Sequence, residues 1–209
     1  VNKPDLLMVL KSDKISTVHR PVLLDVIGVK RLNSQGKVIG QRLFVGLFTS
    51  AAYSLDPWEI PLLRRKLDLA FKRTGFIKSS HDGKALLNIL STFPRDELFQ
   101  ASEQHLYLTS LGILHLQDRQ RIAIFVRRDE FERFITCIIY VPRDDHTTAL
   151  RLRFQEILED AFAGKVLAHY TQLGETPLAR LHVVVKTTPG NIPAYDVLAI
   201  ETQLIEAAC

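Results

Sequence analysis

The chain has 209 residues, with 27 Lys+Arg against 23 Asp+Glu for a formal net charge of +4, and 46% of it is hydrophobic. That length admits one large or two small domains with enough apolar material to bury a core. A charged fraction of 24%, only 10 Gly and 9 Pro, and no repetitive tract exclude collagen, long disorder and low complexity.

Read from the N-terminus, Leu6 to Lys11, Val22 to Lys30 and Gln41 to Thr49 are short and rich in Val, Leu, Ile and Phe, with the turn-forming Asn33-Ser34-Gln35-Gly36 between the last two. They predict antiparallel strands, the last two a hairpin. Val22 to Gly28 alternates only loosely, which predicts partial cover on both faces. Three strands make a thin sheet, so more strands or helices are expected to pack on it, and part of this first module is expected before Val1.

The middle predicts helices. Asp56 to Glu59 has capping-box spacing, but Pro61 would break a helix begun there, so the regular helix is expected from Pro61 to Thr74, ended by Gly75. Its stripe is Leu63, Leu67, Ala70 and Phe71. Ser80 can cap a second helix with Leu86, Ile89, Leu90 and Phe93 on one face, stopped at Pro94. A third helix is expected from Ser102 to His115.

The remaining residues carry the clearest pattern. Arg121 to Arg128 and Arg133 to Val141 predict two strands joined by the polar Asp129-Glu130-Phe131-Glu132. A helix from Thr147 to Ala163 carries Leu150, Phe154, Ile157, Leu158 and Ala161, with Gly164 as its stop. Val166 to Gln172 and Arg180 to Lys186 predict two more strands, and a last helix runs from about Pro193. The order ββαββα is a cyclic permutation of the ferredoxin-like βαββαβ order, so a four-stranded antiparallel sheet with two helices on one face is expected. The fold class is α+β: an incomplete sheet over residues 1–54, a helical connector over 55–118 and a ferredoxin-like unit over 119–209.

Motifs for chemistry are sparse. No apolar run nears the roughly 20 residues of a membrane span and no signal-peptide pattern opens the chain, so the cytoplasm is expected. Cys137 and Cys209 fit reduced thiols. Gly36 to Gly40 lacks phosphate-loop spacing, and no Gly-x-Gly-x-x-Gly occurs. The seven histidines show no metal-pair spacing on a predicted helix. Ser80-His81-Asp82 reads as a helix start, and Ser50 and Ser110 lack a nucleophile elbow. The pI of about 9.1 raises a nucleic-acid reading, but acidic residues are interspersed and no aromatic pair marks the last sheet, so nucleic acid is not expected as a partner. Two sets of residues carry a binding reading beside a structural one. Trp58, Arg64, Arg65, Arg95, Phe99, Arg128 and Phe131 are candidates for an interaction surface, with Trp58, Phe99 and Phe131 expected to face outward. Arg143, Asp144, His146 and Thr147 form a strand-to-helix loop where backbone donors can hold a small effector, although helix capping explains the same residues and the carboxylates oppose an anion.

Several strings, in order, resemble one family. They are His19-Arg20-Pro21-Val22, Ile27-Gly28-Val29-Lys30-Arg31, Gly46-Leu47-Phe48-Thr49-Ser50-Ala51-Ala52-Tyr53, Glu59-Ile60-Pro61-Leu62-Leu63-Arg64-Arg65-Lys66, Ser80-His81-Asp82-Gly83-Lys84-Ala85-Leu86, Pro94-Arg95-Asp96-Glu97-Leu98-Phe99, Leu111-Gly112-Ile113-Leu114-His115-Leu116-Gln117, Phe125-Val126-Arg127-Arg128 and Tyr140-Val141-Pro142-Arg143-Asp144. Together they resemble the N-terminal regulatory half of the large bacterial NAD-specific glutamate dehydrogenases. The resemblance implies a segment cut from a longer oxidoreductase, consistent with a start at Val1 and an end inside a helical pattern. It implies an ACT-like last unit and leading strands from a PAS-like or second ACT-like module. The family's catalytic lysine, glutamate-binding residues and NAD fold are implied elsewhere in the parent, so neither catalytic nor cofactor-binding nor metal-ligating residues are expected here. Other domains and subunits of the parent, and a small amino-acid effector, are the implied partners.

Overall fold

The computed structural model describes residues 6–117, 119–174 and 176–208; the expected thiol at Cys209 and the start at Val1 lie outside them. The chain divides into two compact units, one up to Tyr107 and the other from Leu108 on.

In the first unit, β1 (Leu7–Ile15), β2 (Leu23–Leu32) and β3 (Val38–Gly46) form an antiparallel sheet in the order β1-β2-β3. The β2–β3 turn closes where expected. Asn33 Oδ1 accepts from the amides of Gln35 and Lys37 at 3.0 and 2.9 Å, and Gly36 takes φ +78°, a conformation that glycine adopts without a Cβ penalty. Helices α1 (Ser50–Ser54), α2 (Pro61–Arg73), α3 (His81–Thr92) and α4 (Arg95–Gln100) follow. Pro61 sits in the first turn of α2, where its missing N–H has no helical partner to lose. Asp56 serves the preceding turn instead, its carboxylate accepting from the Trp58 amide at 2.8 Å. The stripe Leu63, Leu67, Ala70 and Phe71 is buried. Ser80 Oγ accepts from the Gly83 amide at 3.0 Å and starts α3, whose Leu86, Ile89 and Leu90 are buried. Lys66 of α2 ends α4: its ammonium donates to the carbonyls of Leu98, Phe99 and Ala101 at 3.2, 2.6 and 2.9 Å, a cation placed on the negative end of a helix.

The division between units falls within α5 (Glu103–Gln117). In the second unit come β4 (Ala123–Arg128), β5 (Phe134–Pro142), α6 (Thr148–Phe162), β6 (Lys165–Leu173), β7 (Leu178–Lys186) and α7 (Val197–Ala208). The sheet order is β4-β5-β7-β6 and every pairing is antiparallel. A permuted βαββαβ unit requires that arrangement, because the β5–α6–β6 crossover leaves one strand's width that β7 fills. Ile135, Cys137, Ile139 and Val141 of β5 and Leu181, Val183 and Val185 of β7 point to one face, where Phe154, Leu158 and Phe162 of α6 and Ile200 and Leu204 of α7 meet them. All are buried, and each such side chain contributes about 1.5–3 kcal/mol on transfer from water.

Two helix ends differ from expectation. Ala163, not Gly164, adopts the left-handed conformation that ends α6, at φ 48°. Gly164 is required by proximity: a Cβ there would lie 2.6 Å from the Lys186 carbonyl oxygen and from Val185 Cγ1. The last helix begins at Val197 rather than Pro193; Asp196 accepts from the Leu198 amide at 3.0 Å and supplies the cap.

Candidate functional site

All nine residues of β3 are exposed. Ile39, Leu43, Phe44 and Val45 are 59%, 51%, 54% and 61% accessible, so apolar side chains stand in water on both faces of an edge strand. The register places Leu43 opposite Gly28 and Val45 opposite Val26, with Met8 and Leu10 beyond them on the same face. The other face carries Lys11 and Asp25. There the Lys11 ammonium lies 2.7 Å from Asp25 and 3.1 Å from Asp96 of α4, while Tyr53 donates to Asp96 at 3.0 Å and Asp25 accepts from the Phe48 amide at 3.1 Å. Burial alone would lower the Lys11 pKa; Asp96 and then Asp25 outweigh it and hold it above its ordinary value. Burial, followed by the Asp96 charge, pushes the Tyr53 phenol up to about 12. This network fastens the sheet to α4.

The residues proposed for an interaction surface divide. Arg64 and Arg65 are exposed on α2, and Arg128 is exposed at the end of β4. Trp58 is partly covered, its indole N–H donating to Ser91 Oγ at 2.9 Å and the Lys78 ammonium standing 5.5 Å from its ring centre. Phe99 corrects the expectation of an outward ring: it is 5% exposed and stacks on Phe48 with centroids 4.4 Å apart. Arg95 braces the chain, donating to the Leu55 carbonyl at 2.8 Å, and burial lowers its pKa against the opposing pull of Asp56.

Phe131 is 46% exposed at the tip of the β4–β5 turn, which is rigidly held. The buried Asp129 carboxylate accepts from the amides of Phe131 and Arg133 and from Arg133 Nε and Nη2, at 3.1, 3.4, 3.1 and 3.4 Å. Glu132 is bound by the Gly190 amide at 2.9 Å and by Arg128 at 2.6 Å, and these bonds, Gly190 first, hold its carboxyl below the ordinary range. In the β5–α6 loop, Thr147 caps α6 through the Leu150 amide at 3.1 Å, Arg143 donates to the Gly174 carbonyl at 3.1 Å, and Asp144 points to solvent. His146 is partly covered, and its Nε2 is enclosed without a hydrogen-bond partner among the described residues.

A feature the sequence reading missed is a cavity of about 530 Å³ in the second unit, between the end of α5, the start of β4 and α7. Leu116, Ala123 and Phe125 form its apolar part; Arg119, Arg121 and Glu201 are its charged part. Gly112 lets α5 approach the sheet, since a Cβ there would lie 2.5 Å from Phe125 Cε1. Glu201 is fixed by the Ile124 amide, which donates to its Oε2 at 3.1 Å, while Arg121 stands 3.7 Å from its other oxygen. Among the described residues no group of three or more His, Cys, Asp or Glu stands together as a metal site requires, and no helix is long and apolar enough to cross a membrane.

Comparison with known proteins agrees with this architecture. Residues 123–209 match the family described as glutamate dehydrogenase, ACT2 domain, and residues 60–119 match glutamate dehydrogenase, helical motif 1. The chain is similar to proteins named NAD-specific glutamate dehydrogenase: 38% identical over 208 residues to that of Halomonas elongata, covering 100% of this chain and 13% of the relative. Identity is 35% over 207 residues for Pseudomonas aeruginosa, covering 99% of the chain and 13% of the relative. For Mycobacterium tuberculosis it is 34% over 203 residues, covering 97% and 12%. The chain therefore spans about an eighth of the length of the curated relatives it matches. The helical segment and the four-stranded unit thus match, in order, the helical motif 1 and ACT2 domain families of glutamate dehydrogenase, and similarity to NAD-specific glutamate dehydrogenases runs along the whole chain.

Proposed function

We propose that the chain is a non-catalytic regulatory and oligomerisation segment of a cytoplasmic NAD-dependent glutamate dehydrogenase. The parent enzyme oxidises L-glutamate with NAD and water to 2-oxoglutarate, ammonia and NADH in amino-acid catabolism. The observation that carries the assembly role is β3, an edge strand with apolar side chains in water on both faces and exposed at every position. Exposed edges of this kind are surfaces for pairing and packing, and the other domains and subunits of the parent are the occupants. The residues here do not fit NAD. The β5–α6 turn, the strand-to-helix turn of the ACT-like unit, has Asp144 and Asp145 where a pyrophosphate needs bare backbone amides, and no glycine stands in it. No step of hydride transfer is assigned to this chain.

The test is sedimentation of the parent enzyme carrying Leu43→Lys and Val45→Lys, alongside NAD reduction by the 209-residue chain alone. Smaller assemblies from the variant and no turnover by the chain support the assignment. Unchanged assembly, or glutamate-dependent turnover by the chain, refutes it. A second reading, an ACT-like module that binds an allosteric amino acid directly, is favoured by the cavity beside β4.

A further inference from the structure

From the cavity at the start of β4 we infer a binding site for a small organic carboxylate with an apolar tail. The inference gives the sensing reading a location, different from the β5–α6 loop. The volume, about 530 Å³, lies within the range of roughly 300–1,000 Å³ typical of small-molecule sites. Its charge is unbalanced. Two guanidiniums, Arg119 and Arg121, face one carboxylate, Glu201, and that carboxylate is already held by the Ile124 amide. The Arg121–Glu201 separation of 3.7 Å is too long for a hydrogen bond, so Arg121 keeps its donors for a ligand. Arg119 has no ion pair among the described residues, and a planar guanidinium accepts a carboxylate through two parallel bonds.

Apart from the His115 imidazole, the remainder of the lining is apolar. Leu116 and Ala123, packed together with Leu178, and the Phe125 ring, fixed edge-on to Tyr140 at 6.3 Å between centroids, give a rigid surface for a branched aliphatic or aromatic tail. Glu201 additionally offers an acceptor to an α-ammonium. Keto acids and amino acids thus share the carboxylate and tail, and differ in what they present to Glu201. A bound ligand would bridge α5, β4 and α7, all of which line the cavity.

Calorimetric titration of the 209-residue chain with 4-methyl-2-oxopentanoate, leucine and isopentylamine tests the site. Saturable binding of the keto acid or of leucine, with none for the amine, is the expected result, and the tighter of the two identifies the source. Arg119→Gln and Arg121→Gln, both at exposed positions, should each weaken binding about tenfold, while Arg153→Gln on the far side of α6 leaves it unchanged. No saturable binding of either carboxylate up to about 10 mM, equal binding of the amine, or an unaltered affinity in Arg119→Gln overturns the inference. None of these outcomes changes the sedimentation of the Leu43→Lys, Val45→Lys parent, so the two proposals fail separately.

Discussion

Replacing Lys11 by Met removes one charge and keeps the aliphatic stem. The side chain is 12% exposed, and its ammonium is shared by Asp25 at 2.7 Å and Asp96 at 3.1 Å. At an effective dielectric of about 20, unit charges about 3 Å apart attract by roughly 5 kcal/mol. Desolvation cancels much of that in the wild-type chain, so the pairs themselves add little net stability. The variant is different, because it leaves two carboxylates close together without their counter-ion, and breaking a buried pair from one side costs about 3–5 kcal/mol. Trp58 is the single tryptophan and lies in the same unit, so its fluorescence in urea reports the loss. With a urea slope of about 1–1.5 kcal/mol per molar for a unit of this size, the midpoint should fall by about 2–5 M. The triple variant Lys11→Met, Asp25→Asn, Asp96→Asn should recover more than half of the loss, since no buried charge is then left unpaired. A cost for Lys11→Met below about 1 kcal/mol would show that the cluster is solvated and that the sheet is fastened to α4 by other contacts.

The same network predicts an alkaline transition. Folded Lys11 and Tyr53 both hold their protons to higher pH than they do unfolded, so the unfolded chain releases protons first and stability falls as pH rises from about 10 to 12. The loss, after allowance for the half-exposed Tyr53, should be about 1–2 kcal/mol, and Lys11→Met should flatten the curve when urea midpoints are compared across that window; a flat wild-type curve refutes the sign. At the end of α6, Gly164→Ala should cost about 1–3 kcal/mol through the contacts its Cβ would make with β7, whereas Ala163→Gly should stabilise by up to about 1 kcal/mol by relieving a left-handed alanine. Thermal melts by circular dichroism separate the two, and equal effects would refute the distinction. Asp129→Ala should cost about 2–4 kcal/mol in the same assay because it strands Arg133 and two amides, and a loss below about 0.5 kcal/mol would mean the turn is merely a solvated tip.

Elements with long, regular apolar spacing were legible in the sequence. The stripe of α2, the Ser80 cap, the apolar runs of β5 and β7 and the ββαββα order needed only local rules, and strand order followed from topology. What local rules missed depends on neighbours distant in sequence. Phe99 follows the charged Arg95, Asp96 and Glu97, which suggests an outward ring, yet it is covered by Phe48, some fifty positions earlier. Lys11, Asp25 and Asp96 carry no motif, because two strands and a helix bring them together. The cavity combines Arg119 and Arg121 with Glu201, separated by most of the second unit. Gly164 was legible as a helix stop for the wrong reason: proximity to β7 demands glycine there, while an alanine bears the left-handed turn.

The two sides of the first sheet lead to different consequences. One side is tied by ionic contacts to α4, and these specify position more than they stabilise. The β3 edge, with Leu43 and Val45 on the other side and Phe44 on the Lys11 side, leaves Ile39, Leu43, Phe44 and Val45 more than half accessible. Covering the remaining surface of four such side chains contributes about 3–6 kcal/mol at the usual apolar transfer values. That exceeds the roughly 1–3 kcal/mol typical of coupling between distant sites. On the regulatory reading, a partner segment seated on β3 therefore has enough free energy to shift an equilibrium elsewhere in the assembly. The Lys11 cluster, on the opposite face of the same thin sheet, holds the orientation through which such a shift would reach α4.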